Sequence, residues 1–334
     1  MTAPPAIATL PMRVAETRAL NPLIRLLRLE HAEGIALPGW APGAHIQVQV
    51  QLPDGQADWR HYSLIDLEGV AGTPGFAPGA YTIAVRLEEG GRGGSRFMHQ
   101  GLKPGDRVTV QPPRNDFPLD DGAARAVFLA GGIGITPLAS MAARCRAQGR
   151  PVDLHYAGRS RALLAFADEL QALLGTGLRL HADDEAGGAG FDIGTLLDGM
   201  AQGEPLYVCG PKPLLDAVLA ATQARGWAPG RVHFELFSAA AVEAGDQAFE
   251  VELAQSGQRF TVPADQTVLD CLIEHGCDPL YDCKRGECGV CAVPVIEGQV
   301  DHRDYVLSQA EKDGGQVMQI CISRAKGPRL VLDL

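Results

Sequence analysis

The sequence predicts a multidomain chain in which an all-β barrel is followed by a parallel α/β domain and then by a small α+β domain. Three observations predict this order. The 334 residues exceed what one hydrophobic core usually serves. Runs with period-2 alternation, separated by turns, lie within roughly the first 115 positions, and short apolar runs alternate with helical stretches over residues 123–238. The last part carries four cysteines in a distinctive spacing.

The first domain is predicted to be a barrel because its strands alternate and its turns are clearly marked. Residues 44–50 and 81–86 place apolar side chains at every second position, which is typical of strands with one buried face. Pro-Gly and Asp-Gly pairs separate such runs, as expected of turns. These pairs lie at 38–39, 42–43, 54–55 and 104–105.

The second domain is predicted to contain a parallel sheet, because its strands and helices alternate. The predicted strands cover residues 126–130, 152–156, 178–181 and 206–209. The predicted helices cover residues 138–148, 163–174 and 214–225. Small residues at 238–245 then predict a linker. In the remainder we expect strands at 249–253 and 259–262 and one helix at 268–275.

The cysteine motif predicts an iron–sulfur cluster. Cys283, Cys288 and Cys291 form C-x4-C-x2-C, and Cys321 follows 30 positions after Cys291. This is the plant-type ferredoxin spacing for one [2Fe–2S] cluster, held by four thiolates. Two glycines inside the motif let the backbone wrap closely and aim amide N–H groups at sulfur. The alternative is a zinc site, but zinc sites favour paired C-x2-C units, and here one stands alone. The chain is therefore predicted to move single electrons.

Charge limits the classes of partner. The net charge of −11 argues against a nucleic-acid partner. Residues 246–334 contain 15 acids and 8 bases, so −7 of the −11 lies in the last quarter of the chain. An acidic face on the cluster domain would attract a basic protein partner, although solubility alone would also explain it.

Hydropathy and cysteine usage predict a cytoplasmic protein. No run of apolar residues approaches 18, so no membrane span is expected. The first residues lack the basic and apolar parts of a signal peptide. The four cysteines outside the cluster motif are scattered without a disulfide pattern, as is typical of a reducing compartment. We expect a monomer.

A glycine-rich loop in the first domain predicts a phosphate site. Strand residues Arg60-His61-Tyr62-Ser63-Leu64 and 83–86 are followed by Gly90-Gly91-Arg92-Gly93-Gly94-Ser95, which is predicted to open a short helix. A glycine turn at a helix start presents free N–H groups to a phosphate, and nearby arginines neutralise its charge. A flexible hairpin loop is the alternative for residues 90–95.

Two glycine turns in the second domain predict a dinucleotide site. Gly131-Gly132-Ile133-Gly134-Ile135-Thr136-Pro137 follows the first strand, with Thr136 expected to cap the next helix and Pro137 to be its first residue. Pro137 stands where G-x-G-x-x-G has its last glycine, so this is not the usual fingerprint. Cys209-Gly210-Pro211 ends another strand at the same predicted edge. Two such turns together favour a pyrophosphate at the helix start.

Together these motifs resemble the phthalate dioxygenase reductase family, which includes vanillate demethylase reductase, within the ferredoxin–NADP reductase superfamily. The resemblance covers residues 12–334 and also includes His233-Phe234-Glu235-Leu236-Phe237-Ser238 and Asp301-His302-Arg303-Asp304. It implies a Greek-key flavin-binding β-barrel, a parallel α/β nicotinamide-binding sheet and a C-terminal β-grasp ferredoxin. The implied bounds are 1–118 for an FMN domain, 119–238 for an NAD domain, 239–247 for a linker and 248–334 for the ferredoxin.

The resemblance also implies site residues. Tyr62, Ser63, Cys209, Glu235 and Phe237 would lie beside the reacting rings of flavin and nicotinamide. The residues expected to hold the flavin are Arg60, Tyr62, Ser63, Ile83, Val85, Arg86, Gly93, Gly94 and Ser95. Those expected around the nicotinamide nucleotide are Gly132, Gly134, Thr136, Asp183, Asp184, Cys209, Gly210 and Pro211.

The choices between FMN and FAD and between NADH and NADPH depend on charged residues. The family uses FMN, whereas many superfamily relatives use FAD; Arg86 and Ser95 would suit a terminal phosphate and favour FMN. Superfamily members that use NADPH tend to have Ser-Arg after the third strand of the nicotinamide domain. Here that strand ends in Asp183-Asp184-Glu185, which would repel a 2′-phosphate and favours NADH. Arg159 and Arg161 after the second strand argue the other way.

The predicted function is that of a reductase that passes electrons from NADH through FMN to the cluster and on to the terminal component of a Rieske-type oxygenase. A flavin is needed between them because it accepts hydride and releases electrons singly. The alternatives are a self-contained flavin oxidase or monooxygenase and a non-enzymatic redox sensor. The sequence identifies neither the oxygenase nor its substrate.

Overall fold

The computed structural model describes residues 8–185, 187–188, 190–228, 230–237, 243 and 245–334. The chain forms two compact units, Met1–Glu235 and Leu236–Leu334. Most of the predicted linker at 239–247, namely 239–242 and 244, lies outside the described residues. Among the described residues, no helix has both the length and the apolarity to cross a bilayer.

The N-terminal part of the first unit is a six-stranded antiparallel barrel. Its strands run in the order β4-β3-β6-β1-β2-β5, so neighbours in the sheet are not all neighbours in sequence. The Ile65 amide, just past β4, donates to the Thr82 carbonyl of β5 (2.9 Å), which joins the two edges and closes the barrel. The strands are β1 (Leu10–Asn21), β2 (Ile24–His31), β3 (His45–Gln51), β4 (Ala57–Ser63), β5 (Tyr81–Arg86) and β6 (Arg107–Val110).

The glycine-rich loop after β5 leads into a short helix, α1 (Gly94–Arg96), which continues as a π-helical turn to Gly101. Gly93 precedes the helix with φ of 100°, a conformation that a residue with a Cβ rarely adopts. The predicted helix start is thus confirmed, although the helix is very short.

The second part of the same unit is a five-stranded parallel sheet in the order β11-β10-β7-β8-β9. Because later strands are added on both sides of β7, the order reverses between β7 and β10. Ligands of such sheets bind at this switch point, beyond the carboxyl ends of the strands. The strands are β7 (Ala126–Gly131), β8 (Val152–Gly158), β9 (Leu178–Ala182), β10 (Leu206–Cys209) and β11 (Val232–Glu235).

Four helices accompany this sheet, one more than the sequence predicted, and two of them start at other residues than expected. They are α2 (Ile135–Ala147), α3 (Ala167–Leu174), α4 (Ile193–Asp198) and α5 (Lys212–Ala224). The predicted helix at 163–174 starts late, because Phe166 adopts φ of 62° and interrupts the chain before Ala167. The prediction that Thr136 caps α2 is wrong, and so is the prediction that Pro137 begins it. A 3₁₀ turn over Gly132–Gly134 makes the chain helical already at Ile135.

Helix α2 joins the two sheets of the first unit. The Ser140 hydroxyl donates to the Leu64 carbonyl (2.9 Å) and accepts from the Asp66 amide (2.9 Å). Ser140 is buried, so these bonds form away from water. They tie the end of β4 to the helix that starts at the switch point.

The C-terminal unit is a mixed sheet packed on one main helix, the β-grasp arrangement. Strands β12 and β18, from opposite ends of the unit, pair in parallel, and the sheet order is β13-β12-β18-β14-β16. The Leu269 amide in the helix donates to the Ile320 carbonyl (3.0 Å). The elements are β12 (Phe249–Leu253), β13 (Arg259–Val262), α6 (Val268–Glu274), β14 (Ala292–Glu297), β15 (Val300–Asp301), α7 (Gln309–Gly314), β16 (Val317–Gln319), β17 (Arg324–Ala325) and β18 (Arg329–Leu332). The predicted fold class is confirmed in all three parts.

Candidate functional site

Strand β4 and the glycine-rich loop meet at Arg60. A Cβ added to Gly94 would lie 2.9 Å from Arg60 Nε and 3.3 Å from a methyl group of Val50, so any larger residue there would displace the Arg60 side chain. Arg60 is held by Asp58 Oδ2 (2.5 Å) and donates to the Trp59 carbonyl (2.8 Å). The arginine and the helix start that were predicted to share a phosphate are therefore neighbours.

Tyr62 and Ser63 end β4 with polar groups inside the protein. Tyr62 packs against the barrel core, and burial raises the pKa of its phenol, which stays protonated. The Ser63 hydroxyl is buried and has no hydrogen-bond partner among the described residues. A buried hydroxyl without a partner is costly, and polar atoms of a flavin ring would supply one. These residues thus fit a flavin.

On strand β5, the structure changes the predicted contribution of two residues. The side chains of Ile83 and Val85 belong to the barrel core and are fully buried there. Because side chains alternate along a strand, Ala84 and Arg86 face the opposite side. A flavin lying there would contact Ala84 and only the backbone of Ile83 and Val85. Ala84, which was not assigned from the sequence, lies on that face.

The two predicted phosphate ligands of this domain meet at Glu88. Arg86 forms an ion pair with the Glu88 carboxylate (3.0 Å), and the Ser95 hydroxyl accepts from the Glu88 amide (3.0 Å). The Arg86–Glu88 pair is largely exposed, so it contributes little stability and can exchange for a phosphate. Gly93 lies against Pro53, whose Cδ would be 2.5 Å from an added Cβ.

The two glycine turns of the parallel sheet touch at the switch point. A Cβ on Gly134 would lie 2.1 Å from the Cys209 carbonyl oxygen. A Cβ on Gly131 would lie 2.7 Å from Pro211 Cδ, and the Cα of Gly131 lies 3.0 Å from the position of a Cβ on Gly210. The first turn of α2 therefore begins directly beside the end of β10. This is the geometry that suits a pyrophosphate.

The other residues predicted near nicotinamide are placed as follows. Thr136 is buried, and its hydroxyl donates to the Ile133 carbonyl (3.1 Å), so it braces the turn. Cys209 is buried at the end of β10 and pairs across the sheet with Glu235, the last residue of β11. Phe237 is half-buried and belongs to the C-terminal unit.

The acidic turn after β9 packs against the turn after β8. The Asp183 amide donates to the Gly158 carbonyl (3.0 Å), and the Asp184 amide donates to the Arg159 carbonyl (3.2 Å). Arg161 donates two hydrogen bonds to the Glu185 carboxylate (2.7 and 3.0 Å). One of the two arginines that favoured NADPH is thus paired with an acid of this turn, while Arg159 is exposed.

The four predicted cluster ligands gather at one place in the C-terminal unit. The Cys321 thiol contacts both Cys283 and Cys291, and Cys288 contacts Cys283. Contact with Cys321 and the amides of Arg285 and Glu287 lower the pKa of the Cys283 thiol. Among the described residues, no group of three or more His, Cys, Asp or Glu side chains has the spacing of a metal site. Four converging thiols with amide donors nevertheless have the chemistry that a [2Fe–2S] cluster needs.

The loop conformation explains the residues between the ligands. A Cβ on Gly286 would lie 2.8 Å from a methyl group of Ile322, and Gly286 has φ of 76°. Gly289 has φ of 76° as well. Lys284 adopts φ of 54° and is held by the Asp270 carboxylate of α6 (2.9 Å). The loop is thus held on one side by Ile322 and on the other by α6.

Two further loop residues, which sequence reasoning did not assign, hold the first residue of the C-terminal unit. The Glu287 carboxylate accepts from the Leu236 amide (2.5 Å), and the Arg285 guanidinium donates to the Leu236 carbonyl. Arg285 is buried and Glu287 is half-buried, and their charged groups are 3.4 Å apart. Their charges thus satisfy each other and both backbone groups of one residue. No local sequence signal indicates this contact, because 49 positions separate Leu236 from Arg285.

Comparisons with known proteins agree with this geometry. The sequence profile described as the 2Fe-2S iron-sulfur cluster binding domain matches residues 251–326, which include all four ligands. A profile described as the N-terminal domain of a DmmA-like dimethylamine monooxygenase subunit matches residues 106–232. A toluene-4-sulfonate monooxygenase system reductase subunit of Comamonas testosteroni is 41% identical over 98% of this chain and 99% of its own length.

A solved structure of phthalate dioxygenase reductase is 35% identical, with a TM-score of 0.73 and coverage of 98% of both chains. The chain belongs to the phthalate dioxygenase reductase family. The vanillate O-demethylase oxidoreductase of Pseudomonas sp. (strain HR199 / DSM 7063) is a further relative, 40% identical over 92% of this chain and 94% of its own length. Family members of this kind are oxidoreductases that act as reductase subunits of multicomponent oxygenases. The predicted family and class of enzyme are confirmed.

Proposed function

We propose that this chain takes electrons from NADH, passes them through FMN to a [2Fe–2S] cluster and delivers them to a separate terminal oxygenase of the Rieske type. We assign FMN to residues 1–118, NADH to 119–238 and the cluster to 248–334, with a linker at 239–247. The observation that carries the proposal is the presence, in one chain, of the Gly134–Cys209 contact at the switch point and four gathered thiols.

Residues of this chain would bind the flavin, the nicotinamide coenzyme and the cluster. Arg60, Arg86 and the start of α1 would bind the flavin phosphate, and the Ser63 hydroxyl would orient the ring. The start of α2 would hold the coenzyme pyrophosphate. The four cysteines would hold the irons, with amide N–H groups directed at sulfur. When bound, the flavin supplies the change from hydride to single-electron chemistry.

NADH is favoured over NADPH by the charges at the coenzyme's adenine end. Asp183 and Asp184 follow β9 on the same edge of the sheet as the glycine turns. The Arg161–Glu185 pair removes one cation from that edge. A 2′-phosphate would therefore meet more negative than positive charge, whereas a ribose hydroxyl would find hydrogen-bond acceptors.

The test uses the purified holoprotein. Its flavin is released with acid and weighed by mass spectrometry; FMN is the expected mass, and FAD would overturn that part of the proposal. NADH is then added without oxygen, and flavin and cluster absorbance are followed. Both should bleach, and cytochrome c should be reduced. Rapid NADH-driven oxygen consumption with substrate hydroxylation by this chain alone would favour a self-contained monooxygenase instead.

A further inference from the structure

Large apolar side chains are exposed around the cluster loop. Among the described residues seven large hydrophobic side chains are exposed, and five of these lie between positions 280 and 306. Leu280 is the extreme case, with 79% of its surface exposed. Apolar groups gathered at one place on a surface, rather than scattered, mark interaction sites.

Four of these side chains border an exposed cluster ligand. Cys288 is exposed, whereas Cys291 and Cys321 are buried. Val290 follows Cys288 by two residues, and a methyl group of Val306 lies 3.2 Å from the position of a Cβ on Gly289. Leu280 and Tyr281 precede the loop, and the Tyr281 ring lies 4.8 Å from the Lys284 ammonium group. Leu280, Tyr281, Val290 and Val306 thus flank the loop that carries the exposed ligand Cys288.

The charges beside this surface have one sign. Residues 274–313 contain nine acids and four bases, a net charge of −5. The exposed charged residues in this segment are all acids: Glu274, Asp278, Glu297, Glu311 and Asp313. The four bases are turned inward or paired, as shown by Lys284 with Asp270 and Lys312 with the Asp304 carbonyl. The apolar surface thus has an acidic rim.

We propose that Leu280, Tyr281, Val290 and Val306, which we call the cluster face, form the docking surface for the electron-accepting protein. The inference rests on the proposed function and adds the chemistry of the partner: an apolar centre that covers the cluster face, surrounded by Lys and Arg. Apolar contact would exclude water above Cys288, and the rim charges would speed the encounter. A second copy of this chain is a poor occupant, because two acidic rims would repel each other.

The test uses cytochrome c, a small basic haem protein, as the acceptor probe for the holoprotein. One variant carries Leu280→Ser, Val290→Ser and Val306→Ser; a second carries Glu274→Gln, Asp278→Asn and Asp313→Asn. Ile296→Ser is the matched control, because Ile296 is exposed in the same unit but lies on β14, beyond the loop. All four proteins are compared at equal flavin and cluster content.

The apolar variant should lower the second-order rate constant for cytochrome c reduction about tenfold, as loss of central interface side chains commonly does. The charge variant should be slow at low salt and should lose most of its salt dependence. Ile296→Ser, and ferricyanide reduction by every variant, should match the wild type.

Three results would overturn the cluster face. The first is a wild-type rate constant for cytochrome c reduction in the apolar variant. The second is slower bleaching of the cluster by NADH in that variant, which would show that the face serves this chain's own flavin domain. A wild-type dimer that dissociates in the apolar variant would make a second copy the occupant. If the wild type reduces its cluster but not cytochrome c, delivery of electrons to a separate protein is contradicted. The proposed function is then wrong, and so is the docking role of the cluster face.

Discussion

Gly134 lies so close to Cys209 that a Cβ on the glycine would stand 2.1 Å from the cysteine's carbonyl oxygen and 2.4 Å from its carbonyl carbon. Both partners are backbone atoms, so no side-chain rotation can relieve the contact. The two residues lie on either side of the switch point between β7 and β10. The start of α2 and the end of β10 are thereby fixed against each other.

Gly134→Ala should separate these two turns. We expect a loss of about 1–3 kcal/mol of unfolding free energy, as is common for overpacked sites, and a higher KM for NADH, since the pyrophosphate site would widen. Thermal unfolding and steady-state ferricyanide reduction measure the two effects. Gly190→Ala is the control, because no atom lies within 4 Å of a Cβ added there. Equal effects in both variants would contradict the role of the Gly134–Cys209 contact.

Local patterns predicted most of the elements that carry the site. The alternation at 81–86 gave strand β5 with its observed bounds, and the cysteine spacing identified four thiols that the structure gathers. The pairing of two glycine turns at one sheet edge was also predicted, because parallel strands end at the same edge. These features depend on periodicity or spacing, which a single sequence contains.

The features that the sequence did not predict depend on contacts between residues distant in sequence, or on which face of a strand lies in the core. Threonine is a common N-cap residue, so Thr136 was expected to cap α2. The preceding 3₁₀ turn, however, makes the chain helical one residue earlier, at Ile135. That Ile83 and Val85 line the flavin stays a prediction, but their side chains lie in the barrel core, and a choice between the two faces of β5 leaves Ala84 on the other side. The Arg285–Leu236 contact spans 49 positions, and only the folded chain brings it together.

Cys288→Ser should abolish cytochrome c reduction but not ferricyanide reduction. Loss of one thiolate should prevent assembly of a working cluster, so NADH-driven reduction of cytochrome c should fall by about a hundredfold, the upper end of what loss of a residue that only orients a ligand costs a metal site. Reduction of ferricyanide should remain close to the wild-type rate, since this small acceptor can take electrons from the flavin. Visible absorbance and iron content would report the cluster.

The matched control is Cys277→Ser, which removes a half-buried cysteine of the same unit that lies outside the cluster motif. It should retain both activities. If Cys288→Ser abolished ferricyanide reduction while keeping its flavin and its fold, the sequential path from flavin to cluster would be wrong.

The histidine pair of the parallel sheet should make the stability of the first unit depend on pH. His155 and His181 stack with ring centres 5.3 Å apart, and their facing nitrogens are 3.2 Å apart. Burial, together with repulsion from His155 and Arg179, lowers the pKa of His181. The unfolded chain, with an ordinary histidine pKa of about 6.5, then takes up a proton more readily than the folded chain.

The stability that neutral His181 contributes is therefore fully present above about pH 6.5 and is lost as pH falls from there through the lowered pKa. Thermal unfolding of the wild type and of His181→Gln should be measured from about pH 8 to about pH 5.5, across the histidine range. The wild type should lose more stability than the variant on acidification. If stability fell equally with pH in the wild type and in His181→Gln, His181 would have the same pKa in the folded and unfolded chains.

Coenzyme choice should depend on the acids after β9. Each carboxylate of Asp183 and Asp184 should disfavour a 2′-phosphate by about 1 kcal/mol in a partly solvated site at an effective dielectric constant near 20. Together they should give a preference for NADH of about one to two orders of magnitude. Asp183→Ser with Asp184→Arg should narrow this preference in kcat/KM, mainly by improving NADPH. Ferricyanide reduction with each coenzyme measures it.

Glu185→Gln tests the contribution of Arg161 to coenzyme choice. The substitution would release Arg161 from its two hydrogen bonds, so NADPH use should improve although both aspartates remain. Asp216→Asn is the control, since it removes an exposed acid from α5, which follows β10 rather than β9. A wild type that used NADPH as well as NADH would make Arg159 and Arg161 the dominant contacts, and the acidic turn would then have no part in coenzyme choice.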